Sequence, residues 1–326
     1  MDSRARTYLA IAAAATALLA AAPASASFPG KNGLLTYTAG EGYRDGTTSI
    51  WGQRLSGAAP HELLAHEDSA GRTDVQAVSD EEASWAPSGK RYAFARRTGG
   101  GNLRLFVTEA GMKSARAIPL PEGMAARSPA FAPDGRTIVF VEVISGGDPA
   151  EEVTYEAGWN LWRVRTDGTG LRKLRAGDRP AWSPRGGLIA FQDSCGSLKT
   201  MRTDGSRVRT VVAATRVNGV CRGVGAPEFA PSGGRIAFAA LNGNGSSARS
   251  EIFTVGTDGR GRRRVTTTPG AGAAEPAWSP DGQSIAFHRD TGKAGGSGLY
   301  RVPAGGGNPR RITGAFVQDL DWQPLR

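Results

Sequence analysis

Beyond residue 27 the apolar residues of this chain come in short runs, never at sustained helical spacing. Typical runs are Tyr92-Ala93-Phe94, Ile138-Val139-Phe140, Leu188-Ile189-Ala190-Phe191, Ile236-Ala237-Phe238 and Ile285-Ala286-Phe287. Each ends in Phe, and each follows a polar turn that contains Gly and is preceded by Pro. Pro presets one turn dihedral, and Gly supplies the positive φ of a tight hairpin. The pattern predicts strands of a few residues joined by hairpins, and no helix.

The runs belong to a longer phrase that occurs five times. It reads SWAPSGKRYAF from Ser84, AFAPDGRTIVF from Ala130, AWSPRGGLIAF from Ala181, EFAPSGGRIAF from Glu228 and AWSPDGQSIAF from Ala277. Its Pro residues, Pro87, Pro133, Pro184, Pro231 and Pro280, are 46, 51, 47 and 49 residues apart. A second motif falls between the copies: strand, Gly turn, Arg-bearing strand, as in LWRVRTDGTGLRKL and IFTVGTDGRGRRRV. Each unit thus holds four short strands, A to D, which is the size of one propeller blade. A sixth copy is split between the chain ends. Asp321–Pro324 supplies DWQP, and Phe28–Tyr37 supplies FPGKNGLLTY. The expectation is an all-β, six-bladed β-propeller of four antiparallel strands per blade. Its ring is closed by pairing of the N- and C-terminal strands, which removes exposed sheet edges at the cut. The S-P-D-G and T-D-G turns then lie on one face, and the B–C loops and D–A links on the other.

Composition narrows the setting. Residues 1–26 read as a signal peptide: Arg4 and Arg6, an Ala- and Leu-rich run, then Ala24-Ser25-Ala26 before Ser27. The propeller then occupies 27–326, exported (secreted or held in the envelope or periplasm), with no membrane span. Two cysteines suit an oxidising compartment, and Cys195 and Cys221 fall in neighbouring connections of one face, so a disulfide is expected. Closing that loop of about 25 residues contributes about 3 kcal/mol in the chain-entropy picture. The formal charge of +10 is mostly Arg. Export argues against nucleic acid, and Arg262-Arg263-Arg264, Arg172-Lys173 and Arg310-Arg311 fall on outermost strands, where charge discourages edge-to-edge aggregation.

The phrase W-S-P-D-G-x-x-I-A-F, followed by D-G-x-x-R-R and an apolar residue, resembles the TolB-type propeller repeat over about residues 28–326. The resemblance implies six blades and work through protein contacts. The sequence departs from TolB in showing no evident α/β domain before the propeller, so the resemblance is not taken to imply the Tol–Pal role.

Candidate site residues follow from aligning the blades at the recurring Trp or Phe. Three positions upstream stand Glu82, Ser128, Arg179, Ala226, Glu275 and Asp319. Glu275, Asp319 and Glu82 come from consecutive blades and form an acidic arc at the channel mouth, with Arg179 opposite. Glu228 and Asp321, one residue before the aromatic, are expected to join it. Such an arc suits Ca²⁺, which takes several carboxylate oxygens, or a Lys or Arg from a partner. The longest B–C loop, Ser145 to Gly158, offers Glu151, Glu152 and Tyr155, with Trp159 beside it, as a second contact.

Catalytic signatures are missing. No G-x-S-x-G occurs, and the three His are His61, His66 and His288. His61 and His66 imitate a zincin pair, but the spacing is one residue too long and the segment is an expected strand. The chain reads as a monomeric, non-catalytic propeller that binds a protein or peptide partner. The alternative is a metal-dependent propeller enzyme of lyase or lactonase type, with carboxylates as its working groups.

Overall fold

A computed structural model describes residues 27–40, 48–56, 59–64, 78–98, 101–148, 153–217, 219–243, 248–291, 296–314 and 317–326. The leader expected at 1–26, and the residues Glu151, Glu152 and His66, lie outside the described residues.

Six four-stranded antiparallel sheets stand in the order A-B-C-D. Blade 2 is typical, with strands Val78–Trp85, Arg91–Thr98, Arg104–Glu109 and Arg116–Ala117. Strand A of every blade touches strand A of the next, all the way round, so the sheets form a closed six-bladed β-propeller with strand A at the axis. Blade 1 is the split one. Its innermost strand is Gln318–Leu325, and Lys31–Ala39, Ser49–Gln53 and His61–Glu62 follow outward. Leu35 pairs with Trp322 across this closure.

The repeated phrase builds the core. Phe94, Phe140, Phe191, Phe238 and Phe287 are completely buried, as are the turn-side aromatics Phe131 and Phe229. Each such side chain stabilises the fold by about 1.5–3 kcal/mol relative to exposure. The Pro-Gly turns also carry the seams between blades. At Gly89 (φ 64°) an added Cβ would collide with the Pro324 carbonyl oxygen. The turn of blade 2 therefore presses on the closing strand of blade 1.

The Arg-rich outer strands have a second use. Arg116, Arg209 and Arg263, with Arg163 from strand C of blade 3, each donate to a C–D turn carbonyl of the following blade: Thr166 (2.9 Å), Asp258 (2.5 Å), Ala304 (2.9 Å) and, for Arg163, Thr203 (3.4 Å). Arg262 lies over the rings of Phe238 and Phe253, at 5.4 and 4.5 Å. Much of the positive charge is thus structural.

Two connections differ from the sequence reading. The expected blade 3 loop at 145–158 is mostly strand. Thr137–Asp148 and Val153–Arg165 keep their pairing out to Asp148 opposite Val153. β-Branched and aromatic residues such as Val143, Thr154 and Tyr155 suit a continued ladder. The link from blade 4 to blade 5 forms an extra ribbon, Thr215–Val217 with Val220–Arg222. Asn218-Gly219, the strongest short hairpin signal, stands at its tip in the sequence. The expected disulfide Cys195–Cys221 is present, with Cα atoms 5.3 Å apart, and ties this ribbon to the B–C loop of blade 4.

Closure makes stability global. Gly89→Ala is expected to lower the thermal midpoint of the whole domain in one cooperative step, by more than about 1 kcal/mol at the midpoint. Deleting Asp319–Arg326 should abolish the native transition altogether. Circular dichroism melts check both, and a deletion that only frays a tail, leaving the main transition in place, would contradict ring closure.

Candidate functional site at the ring axis

The six aligned positions share one backbone state. Glu82 (φ 60°), Ser128 (51°), Arg179 (50°), Ala226 (40°), Glu275 (56°) and Asp319 (56°) are all left-handed, although none is glycine. Each opens a β-bulge. Two residues of strand A face one aromatic of strand B: Phe94, Phe140, Phe191, Phe238, Phe287 or, in blade 1, Tyr37. The second bulge residue is Pro129, Pro180, Pro227 or Pro276 in four blades. Pro is tolerated there because the ladder already lacks a bond. This x-Pro pair, three residues before the aromatic, is the sequence signal of the bulge. A left-handed non-glycine residue costs roughly 1–2 kcal/mol, so the neighbours must hold it.

At Glu82, Ser128, Glu275 and Asp319 they do so across the seams. The Glu82 carboxylate accepts from the Ser128 amide (2.5 Å) and hydroxyl (3.0 Å) of blade 3. The Glu275 carboxylate accepts from the Asp319 amide of blade 1 (2.9 Å). Thr38 Oγ1 accepts from the Glu82 amide (3.2 Å) and hydrogen-bonds the Asp319 carboxyl. A relay thus runs from blade 6 through blades 1 and 2 to blade 3. Glu82, Glu275 and Asp319 are all buried.

On the other side stand the cations. Arg127, also buried, reaches Glu82 Oε1 at 3.7 Å and Asp178 Oδ1 at 3.3 Å. Its guanidinium lies 6.0 Å from the Trp159 ring, the one loop contact residue whose side chain is placed beside the arc. Arg179 Nε lies 3.9 Å from Asp178 Oδ2, and its charge acts on Glu275. The sequence reading missed Arg127, Asp178 and Glu81. They share one register, the residue before the left-handed one, which could have flagged them.

Glu228 and Asp321 sit elsewhere. Glu228 accepts from the Trp278 amide (2.6 Å) and the Ser27 hydroxyl (2.5 Å), and Asp321 accepts from the Trp85 amide (2.7 Å). Ser84 receives the Phe131 amide at 3.4 Å in the same register. These groups bind the aromatic of the next blade, so the structure places them in the seams. They do not join the arc.

Burial dominates the electrostatics of the arc. It pushes Glu82 up to about 7, against the opposing pull of Arg127. It pushes Glu275 up to about 7, against the Asp319 amide and Arg179. Asp319 is raised well above its ordinary value by burial, then by Glu82 and Glu275. Asp319 Oδ1 is buried and has no hydrogen-bond partner among the described residues. Among the described residues, no three His, Cys, Asp or Glu side chains are grouped to hold a metal ion.

Raised carboxyls make stability fall as pH rises. The folded state keeps protons that the unfolded chain loses above an ordinary 4.5, so stability is fully present below about 4.5 and is lost through about 7. Each retained proton is worth about 1.4 kcal/mol per pH unit in that window. His288, lowered by burial, opposes this with one proton. Denaturant midpoints should therefore fall between pH 5 and pH 8. Glu82→Gln, which keeps an acceptor oxygen for Ser128, should flatten that fall, and an unchanged pH profile would contradict the buried-carboxyl reading.

The family described as TolB beta propeller domain matches residues 179–323. No curated protein matches the sequence. Among solved structures, TolB from Acinetobacter baumannii superposes with a TM-score of 0.66 at 14% identity, over 90% of this chain and 67% of that one. A putative TolB from Agrobacterium tumefaciens gives 0.54 at 16% identity, over 83% and 90%. An oligogalacturonate lyase in complex with manganese gives 0.57 at 14% identity, over 89% and 76%. Identities this low carry the fold alone. With the same bulge in every blade, the chain is a six-bladed β-propeller, and its residues 179–323 match the TolB beta propeller domain.

Proposed function

We propose that this protein is exported, non-catalytic and a receptor for a protein or peptide partner at the cell envelope or outside the cell. Its site is the channel mouth, and its working groups are Glu82, Glu275 and Asp319, with Arg127 and Arg179 setting the opposite wall. One observation carries this reading. Asp319 Oδ1 is a buried carboxyl oxygen with no donor among the described residues, and Glu82 and Glu275 are the carboxyls that act on it. An unpaired buried acceptor is costly, by about 1–3 kcal/mol, and a donor from outside relieves that cost. A Lys or Arg side chain suits it best, because a cation also draws the neighbouring carboxyls into their charged form. The disulfide supports an oxidising compartment.

The lyase neighbour keeps a metal-dependent enzyme as the competing reading. One experiment addresses both. The protein lacking residues 1–26 is crosslinked to envelope fractions and culture fluid beside a Glu82→Gln/Glu275→Gln/Asp319→Asn variant of equal stability. A partner captured by the parent and at least tenfold less by the variant is expected. Capture should also release protons near pH 7, because a bound cation lowers the raised carboxyls. Equal capture by both proteins overturns the mouth as the site, and no capture by either overturns the receptor reading.

A further inference from the structure

A cleft of about 310 Å³ opens between the B–C loop of blade 2 and the link into blade 3, away from the axis. Its walls are Arg96, Gly101, Asn102, Arg104, Phe106 and Met124, with Gly123 at the rim. That volume is at the small end of ligand pockets, which start at about 300 Å³. Asn102 Nδ2 donates to the Gly123 carbonyl (3.3 Å) and ties the two lips together.

The charges across blade 2 are unbalanced at this point. Asp80, Arg96 and Arg104 stand side by side in register on strands A, B and C. The buried Asp80 carboxylate engages Arg96 in a fork, at 2.6 and 2.7 Å. Arg96 also lies over Phe94 and Phe106, at 5.2 and 5.0 Å, and so is fixed in place. Arg104 is exposed and has no ion-pair partner among the described residues. Like charges directly opposite on neighbouring strands are destabilising. The fold neutralises the first arginine and leaves the second facing a partly apolar cleft.

We infer that this cleft binds a carboxylate carried on an apolar body, with Arg104 as its counter-ion and Phe106 and Met124 against the apolar part. Arg binds carboxylates through a planar fork of donors, which suits a ligand entering from solvent. A small aromatic acid and the C-terminal apolar residue of a peptide share this chemistry. The inference does not depend on the axial site.

The probes are 3-phenylpropionate and its neutral amide, with a short peptide ending in Phe as free acid and as C-terminal amide. Calorimetry and thermal shift are read on the parent protein and on Arg104→Gln. The acids should bind and the amides should not. Arg104→Gln should weaken the acids about tenfold or more. Without ligand, the variant should melt at the same temperature as the parent or slightly higher, because a like-charge pair is removed. Tighter binding of the peptide acid assigns the ligand to a partner's C-terminus, and tighter binding of phenylpropionate assigns it to a small acid. The inference is overturned by acids that give no heat, by amides that bind as well as acids, or by an Arg104→Gln variant that melts lower without ligand.

Discussion

The centre of this molecule depends on a β-bulge that places one left-handed residue per blade at the ring axis. In each blade the bulge faces the buried aromatic of strand B, and in blades 2 and 6 the same packing that fills the core turns a strand A carboxyl toward the neighbouring blade. The backbone strain is held by seam hydrogen bonds from a left-handed residue to the next blade, as Glu82 does with Ser128 and Glu275 with Asp319. Fold and candidate site are therefore built by the same atoms. A substitution at the arc acts on both, which is why amide replacements that keep an acceptor are more informative than truncation.

Carboxylates serve two purposes here, and register separates them. One residue before the aromatic, Glu228 and Asp321 cap the next blade's tryptophan amide, with Ser84 doing the same for Phe131. Three residues before it, Glu82, Glu275 and Asp319 gather at the axis, where Asp319 Oδ1 has no hydrogen-bond partner among the described residues. Arginine is divided in the same way. Arg116, Arg163, Arg209 and Arg263 hold the outer seams, while Arg127 and Arg179 balance the arc.

The ring was legible in the sequence because Pro, Gly and Phe recur at fixed offsets, and each has one physical use that few other residues can fill. The split repeat told how the ring closes, and the placement of the two cysteines told their pairing. The three axial acids were legible because the aromatic gave an alignment point. The bulge was not read, since left-handed Glu, Asp and Arg carry no local mark apart from the following Pro. Arg127 and Asp178 were missed for the same reason, because their neighbourhood arises only when adjacent blades meet. Sequence does not tell which groups a carboxylate faces across a seam, so Glu228 and Asp321 look like members of the arc until the Trp278 and Trp85 amides are seen to take them up. In the blade 3 connection and the ribbon at Thr215–Arg222, strand-forming residues extend pairing into segments whose length alone suggests loop.

Burial, and not the nearby arginines, decides the charge of the axial carboxyls. The most direct test is an NMR titration of side-chain carboxyl carbons, assigned with Glu82→Gln, Glu275→Gln and Asp319→Asn. Glu82 and Glu275 should titrate at about 7, and Asp319 well above an ordinary aspartate. Midpoints for all three in the ordinary carboxylate range, about 4, would show that Arg127 and Arg179 keep the arc ionised, and would contradict the claim.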